Sequence, residues 1–168
     1  MAGVGALGLS VFVGRRIRNR GHSAGVLPAG HMMPVEVLLV EDNAGDALLT
    51  SQILAEAPVP VKLHIARDGA QALQMLSGGL KPHLVILDLN LPEVDGLHMM
   101  ERYHPVDVPI VVFSASRKES DKLLAKALGA SEYVLKPSDL QAFRDALLGI
   151  VERWGGRKQN GVTGAAAH

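Results

Sequence analysis

The chain has 168 residues, 48% of them hydrophobic, enough for one well-filled core and too few for two ordinary domains. Acidic and basic residues balance at 17 each, but residues 34 to 154 hold all 17 acids and 11 of the bases, a net charge of −6 (11 − 17). An acidic centre argues against a nucleic-acid surface, which needs clustered Lys and Arg, and the lack of cysteine removes disulfides, thiolate metal sites and cysteine nucleophiles.

Residues 1–33 read as a disordered or non-native tail. Their apolar stretch, Met1 to Val13, precedes Arg15, Arg16, Arg18 and Arg20. A secretory signal has the opposite order, and a membrane span needs about 20 apolar residues. No membrane association is therefore expected, and cytoplasmic residence is. Eleven of the 18 glycines fall in residues 1–34 and 155–168, so the segment after Trp154 reads as a second flexible tail. The ordered domain is expected over residues 34–154.

Within it, short Leu- and β-branched runs alternate five times with segments of helical period. The runs are 35–40, 61–66, 83–88, 108–113 and 132–135. Helices are expected from Asp46 to Glu56, Ala70 to Leu76, Gly96 to Arg102 and Glu119 to Leu128, the last ending at Gly129. A fifth helix is capped by Ser138 or Asp139 and carries Leu140, Phe143, Leu147, Ile150 and Trp154 at spacings of three and four. Apolar strands alternating with helices specify a doubly wound α/β fold, a five-stranded parallel sheet covered on both faces. Such a sheet binds ligands outside the carboxyl ends of its strands.

Those ends carry chemistry. Glu41-Asp42 closes the first run, Asp88 the third, Ser114 the fourth and Lys136-Pro137 the fifth. Two or three carboxylates converging at about 4 Å repel by on the order of 4 kcal/mol per pair at an effective dielectric near 20. A hard divalent cation with oxygen ligands offsets that, and Mg²⁺ takes carboxylates, waters and phosphate oxygens. Asp42 and Asp88, with Glu41, are the expected ligands, and the Asn90 carbonyl is a further oxygen within reach. Lys136 supplies a fixed positive charge to a phosphoryl group carried by Asp88, Ser114 a hydroxyl drawn to it, and Tyr133 a ring that moves behind Ser114.

At Leu38-Leu-Val-Glu-Asp-Asn43, Leu84-Val-Ile-Leu-Asp-Leu-Asn-Leu-Pro-Glu-Val-Asp-Gly96, Val111-Val-Phe-Ser-Ala115 and Gly129-Ala-Ser-Glu-Tyr-Val-Leu-Lys-Pro137 the chain resembles the response-regulator receiver domain family. The resemblance implies the flavodoxin-like strand order 2-1-3-4-5. It makes Asp88 the phosphoacceptor, Asp42 a direct Mg²⁺ ligand and Glu41 a water-mediated one, with Ser114 as switch hydroxyl, Tyr133 as switch aromatic and Lys136 as phosphoryl contact. It also implies a cis peptide before Pro137. A narrower likeness, in Gly45-Asp46-Ala-Leu-Leu49 and Glu152-Arg-Trp154, is to free-standing regulators that partner bacterial phytochrome-type histidine kinases. A sensor histidine kinase is the implied partner, and homodimerisation through residues 119–154 is expected.

Other readings fit less well. A phosphatase using an aspartyl phosphate carries a second acid two residues after its nucleophile, where this chain has Asn90, so an enzyme with multiple turnover is not expected. A flavin or nucleotide site needs backbone donors after the first strand, where Glu41-Asp42 repels phosphate. A phosphorylation-independent interaction module stays as the alternative. His64, His83, His98 and His104 read as structural or solvent-facing. Trp154 serves either packing or a dimer contact, with Leu123, Leu124, Ala127 and Leu128 extending the second.

Overall fold

The computed structural model describes residues 9–13, 33–91, 95–103 and 107–156. Strands are β1 (Leu9–Val13), β2 (Val35–Val40), β3 (Val61–Ala66), β4 (Leu84–Leu87), β5 (Ile110–Ser114) and β6 (Glu132–Leu135). Helices are α1 (Ala44–Leu54), α2 (Gly69–Ser77), α3 (Gly96–Arg102), α4 (Glu119–Ala127) and α5 (Leu140–Trp154). The six strands form one sheet of order β1-β3-β2-β4-β5-β6. The last five strands are parallel and in the expected 2-1-3-4-5 order, with the crossover at β2.

Strands β2, β4 and β5 are apolar at nearly every position because both faces of the sheet are covered. On one face Val37, Leu39, Leu63, Ile86 and Phe113 meet Ile53 and Leu54 of α1 and Phe143, Leu147 and Ile150 of α5. Phe113 and Phe143 stack edge to face with centroids 5.1 Å apart. Leu38, Val40, Val85, Leu87 and Val112 line the opposite face against Ala72 of α2, Met99 and Met100 of α3 and Ala125 of α4. Trp154 packs against the first core, and its indole N–H donates to Glu132 Oε2 at 2.6 Å.

Local chemistry sets the helix starts. Side-chain oxygens of Asn43, Asp68, Asp95 and Asp139 accept from the backbone N–H groups of Asp46, Gln71, His98 and Ala142, each a capping bond. Asp139, not Ser138, is thus the cap of α5. Helix α4 has no such cap and starts on acidic residues instead, Glu119 and Asp121, at its positive end. Gly129 ends α4 at φ 94°, the left-handed conformation glycine adopts without strain. Gly96 is required for a different reason: a Cβ there would lie 2.6 Å from the carbonyl oxygen of Asp88.

Two expectations need correction. The sheet has a sixth strand, since Leu9–Val13 pairs antiparallel with β3, Leu9 opposite Ile65 and Val13 opposite Val61. It lies inside the segment assigned to the tail. The free edge of β3 offers unpaired backbone groups, and an apolar five-residue run satisfies them even without a helix of its own. Residues 1–8 and 14–32 of that tail, Arg15 to Arg20 among them, residues 157–168 and His104 fall outside the described residues. Second, the Lys136–Pro137 bond is trans, as no cis peptide occurs among the described residues. Trans is the lower-energy isomer by about 0.5–1 kcal/mol for X–Pro. No helix among the described residues is long and apolar enough to cross a membrane.

Candidate phosphoryl-transfer site

Parallel pairing levels the strand ends. Asp88 N–H donates to Val40 O at 3.0 Å, Glu41 N–H to Ala66 O at 2.9 Å and Lys136 N–H to Ser114 O at 2.9 Å, so the residue just past each strand is held by its neighbour's ladder. Glu41, Asp42, Asp88, Ser114 and Lys136, up to 95 positions apart in sequence, thereby share one edge of the sheet.

Lys136 is the hub. Its ammonium donates to Glu41 Oε2 at 2.5 Å, Asp88 Oδ2 at 2.7 Å and Asp46 Oδ2 at 3.0 Å, using all three N–H bonds, and lies 5.9 Å from the centroid of the Phe113 ring. Burial alone would lower the Lys136 pKa, but hydrogen bonds and charges from Asp88 and Glu41 outweigh it and hold the value above the ordinary range for lysine. The amine is therefore a permanent cation. Glu41, 3% exposed, goes the other way: burial pushes its carboxyl up, the charge of Asp88 adds to this, and Lys136 together with the Asn43 N–H only partly offsets them. Two buried acids share one cation, and the pocket remains short of positive charge.

One carboxylate oxygen from each of Glu41, Asp42 and Asp88 lies within 4.8 Å of the others. Three hard oxygen donors with surplus negative charge suit a divalent cation such as Mg²⁺. Asp42 is the exposed member, while Asp88 is 7% exposed. Asp88 Oδ1 accepts from the N–H of Asn90 at 3.1 Å, so the loop after β4 is folded against this carboxylate.

Ser114 is fully buried, and its hydroxyl oxygen accepts from the Ser116 N–H at 3.3 Å. Tyr133 is half-buried and donates its hydroxyl proton to the Ser116 carbonyl at 2.9 Å; burial raises the pKa of that phenol. Ser116 Oγ donates in turn to Asp121 at the start of α4, at 2.5 Å. Tyr133 is thus anchored to the loop that follows Ser114.

Sequence reasoning did not place Asp46 in this site. A signal existed: Asp46 lies in the first turn of α1, the helix that directly follows Glu41-Asp42. The described members of the expected set, His64, His83 and His98, divide between structure and solvent. His64 is buried against Glu36 at 2.9 Å, His83 Nδ1 accepts from the Glu36 N–H at 2.9 Å, and His98 is exposed.

A family model for the response regulator receiver domain matches residues 37–148. Response regulator Rcp1 of Synechocystis is 30% identical over 131 residues, 72% of this chain and 89% of that protein. Among solved structures, the phosphorylated cyanobacterial phytochrome response regulator RcpA is similar with a TM-score of 0.68 and 32% identity, over 73% of this chain and 94% of that one. The Mn²⁺-bound form of Rcp1 is similar with a TM-score of 0.67 and 30% identity, over 79% of this chain and all of the other.

Proposed function

Because the chain belongs to the response-regulator receiver domain family, we propose that Asp88 accepts a phosphoryl group from the phosphohistidine of a sensor histidine kinase and that the product changes which proteins this domain binds. The observation that carries this reading is the Lys136 ammonium shared by Asp88, Glu41 and Asp46 at a strand edge whose three clustered carboxylates fit a divalent cation.

In the proposed step a carboxylate oxygen of Asp88 attacks phosphorus, the P–N bond breaks, and its electron pair returns to the imidazole nitrogen, which takes a proton from solvent. Asn90 N–H and Lys136 orient the Asp88 carboxylate for that attack. Asp42 and Asp88, the Asn90 carbonyl and, through water, Glu41 would hold Mg²⁺, which supplies neutralisation of the phosphoryl oxygens. Lys136 stays charged throughout and turns from the carboxylate to the phosphoryl oxygens. Ser114 then donates its hydroxyl to the same oxygens. The Ser114 hydroxyl is tied to Ser116, and Ser116 to both Tyr133 and Asp121, so its movement shifts the β5–α4 loop and the start of α4.

The output face in this reading is residues 119–154, used for homodimerisation. Leu123, Leu124, Leu135 and Leu140 are exposed there, apolar side chains that a partner would cover. The likeness to RcpA, a cyanobacterial phytochrome response regulator, supports a phytochrome-type kinase as donor, with the cytoplasm as the place of action in this reading. Asn90 has no acidic proton to give, so turnover of small phosphate esters is not expected. Incubating the protein with acetyl phosphate and Mg²⁺ tests the assignment. The expected result is one added phosphoryl group per chain by intact mass, absent in Asp88→Asn; equal labelling of that variant would refute it.

A further inference from the structure

Lys136 has three acceptors, and they are not equivalent. Glu41 and Asp88 belong to the carboxylate cluster that fits a cation, whereas Asp46 does not. Asp46 comes from α1 rather than from a strand end, accepts from Lys136 through Oδ2 at 3.0 Å, and is more than a third exposed. Its own backbone N–H is capped by Asn43 Oδ1 at 3.0 Å, which fixes the first turn and the direction from which the carboxylate reaches Lys136. Beside this contact lies a cavity of about 390 Å³ lined by Asp46, Leu49, Ala115, Lys136, Pro137 and Phe143 among others, so the ammonium has room to move away from Asp88.

A divalent cation on Glu41, Asp42 and Asp88 competes with Lys136 for two of its three acceptors. Asp46 is the acceptor that stays. We propose that Asp46 is a positioning residue for the phosphoryl-transfer reaction: it retains the Lys136 ammonium beside Asp88 once the neighbouring carboxylates are engaged by a cation, so that Lys136 meets the incoming phosphoryl group. This rests on the reading of Asp88 as phosphoacceptor. Asp46 touches neither Asp88 nor the phosphoryl group in this role and acts through Lys136 alone.

The test measures phosphoryl uptake from acetyl phosphate by the full chain as a function of Mg²⁺ concentration. Asp46→Asn is expected to lower the maximal rate about ten-fold, a loss that saturating Mg²⁺ does not restore, because a misplaced charge is a defect of orientation and not of cation affinity. Asp46→Glu is expected to recover most of the rate. In a Lys136→Met background, adding Asp46→Asn is expected to change the residual rate by less than about two-fold, since the two act as a unit. Asp46→Ser repeats the measurement should the amide disturb the fold. A maximal rate equal to the parent in Asp46→Asn and Asp46→Ser, or the same loss with and without Lys136, overturns the proposal while leaving Asp88 in place. Absence of labelling in the parent protein instead overturns the reading of Asp88 itself.

Discussion

Strand β2 carries a glutamate near each end, about 16 Å apart, and the two live in opposite electrostatic worlds. Glu36 is partnered on both oxygens: Lys62 Nζ at 3.1 Å on one and His64 Nε2 at 2.9 Å on the other. Burial raises its pKa, but hydrogen bonds from His64 and Lys62 and the charge of Lys62 outweigh that, and the net shift is downward. Glu41 shares its one lysine with Asp88 and Asp46, and its net shift is upward. A satisfied carboxylate is structural. A carboxylate left short of positive charge is poised to receive another cation, at a cost in stability.

Removing the lysine from the crowded end gives the largest effect. Lys136→Met leaves Glu41 and Asp88 buried with no ammonium between them, and breaking such a buried arrangement costs about 3–5 kcal/mol. Urea unfolding in EDTA should show that loss, and repeating it in Mg²⁺ should recover part of it, since a cation that binds only the native state adds stability by mass action. Equal destabilisation with and without Mg²⁺ would erase the distinction between the two ends.

At the other end, Glu36→Gln should cost about 1.5–3 kcal/mol at neutral pH, the range for hydrogen bonds to a charged group, with no response to Mg²⁺. Its pH dependence carries the sign. A carboxylate with a lowered folded pKa contributes stability above its ordinary value of 4.5 and loses it as the pH falls through the folded value. The parent should therefore lose stability below pH 4.5 more steeply than Glu36→Gln. Parallel acid limbs would mean that the pairing at Glu36 adds nothing.

A smaller effect of opposite sign is expected for Glu41→Gln. The raised pKa of Glu41 means that the folded state resists its ionisation, so an uncharged isostere that still accepts from Lys136 should raise the midpoint of urea unfolding of the metal-free protein slightly. Mg²⁺ affinity, read by calorimetry, should fall in the same variant. Stability lost rather than gained would show that Lys136 already satisfies Glu41.

How much of this was legible before the structure follows from how each feature is encoded. The strand ends were, because apolar runs closed by Glu41-Asp42, Asp88, Ser114 and Lys136 need only parallel pairing to bring them to one edge, and parallel pairing follows from burial on both faces. Asp46 was not, since its reach to Lys136 depends on how α1 packs beside the β6–α5 connection. Strand β1 was hidden by composition: an apolar run among glycines and arginines gives no local sign of a partner some fifty residues away. The Glu36 cluster was half-visible. Lys62 and His64 lie on one face by the two-residue period, but their meeting with Glu36 required the pairing of Glu36 with Lys62.

The smallest effect sharpens the contrast most. Lys62 donates to Glu36 in β2 and Lys136 to Glu41 just past it, yet Lys62 is 39% exposed at its side chain and Lys136 only 9%. An ion pair open to water gains little, since solvent screens it and the lysine loses rotamer freedom in making it. His64 remains on Glu36 when Lys62 is removed, so no carboxylate is orphaned. Lys62→Met should therefore cost less than about 1 kcal/mol in urea unfolding, several-fold less than Lys136→Met, and the small loss should shrink further at high salt. A loss as large as that at Lys136 would mean that burial, and not the ratio of acids to cations, separates the two ends of β2.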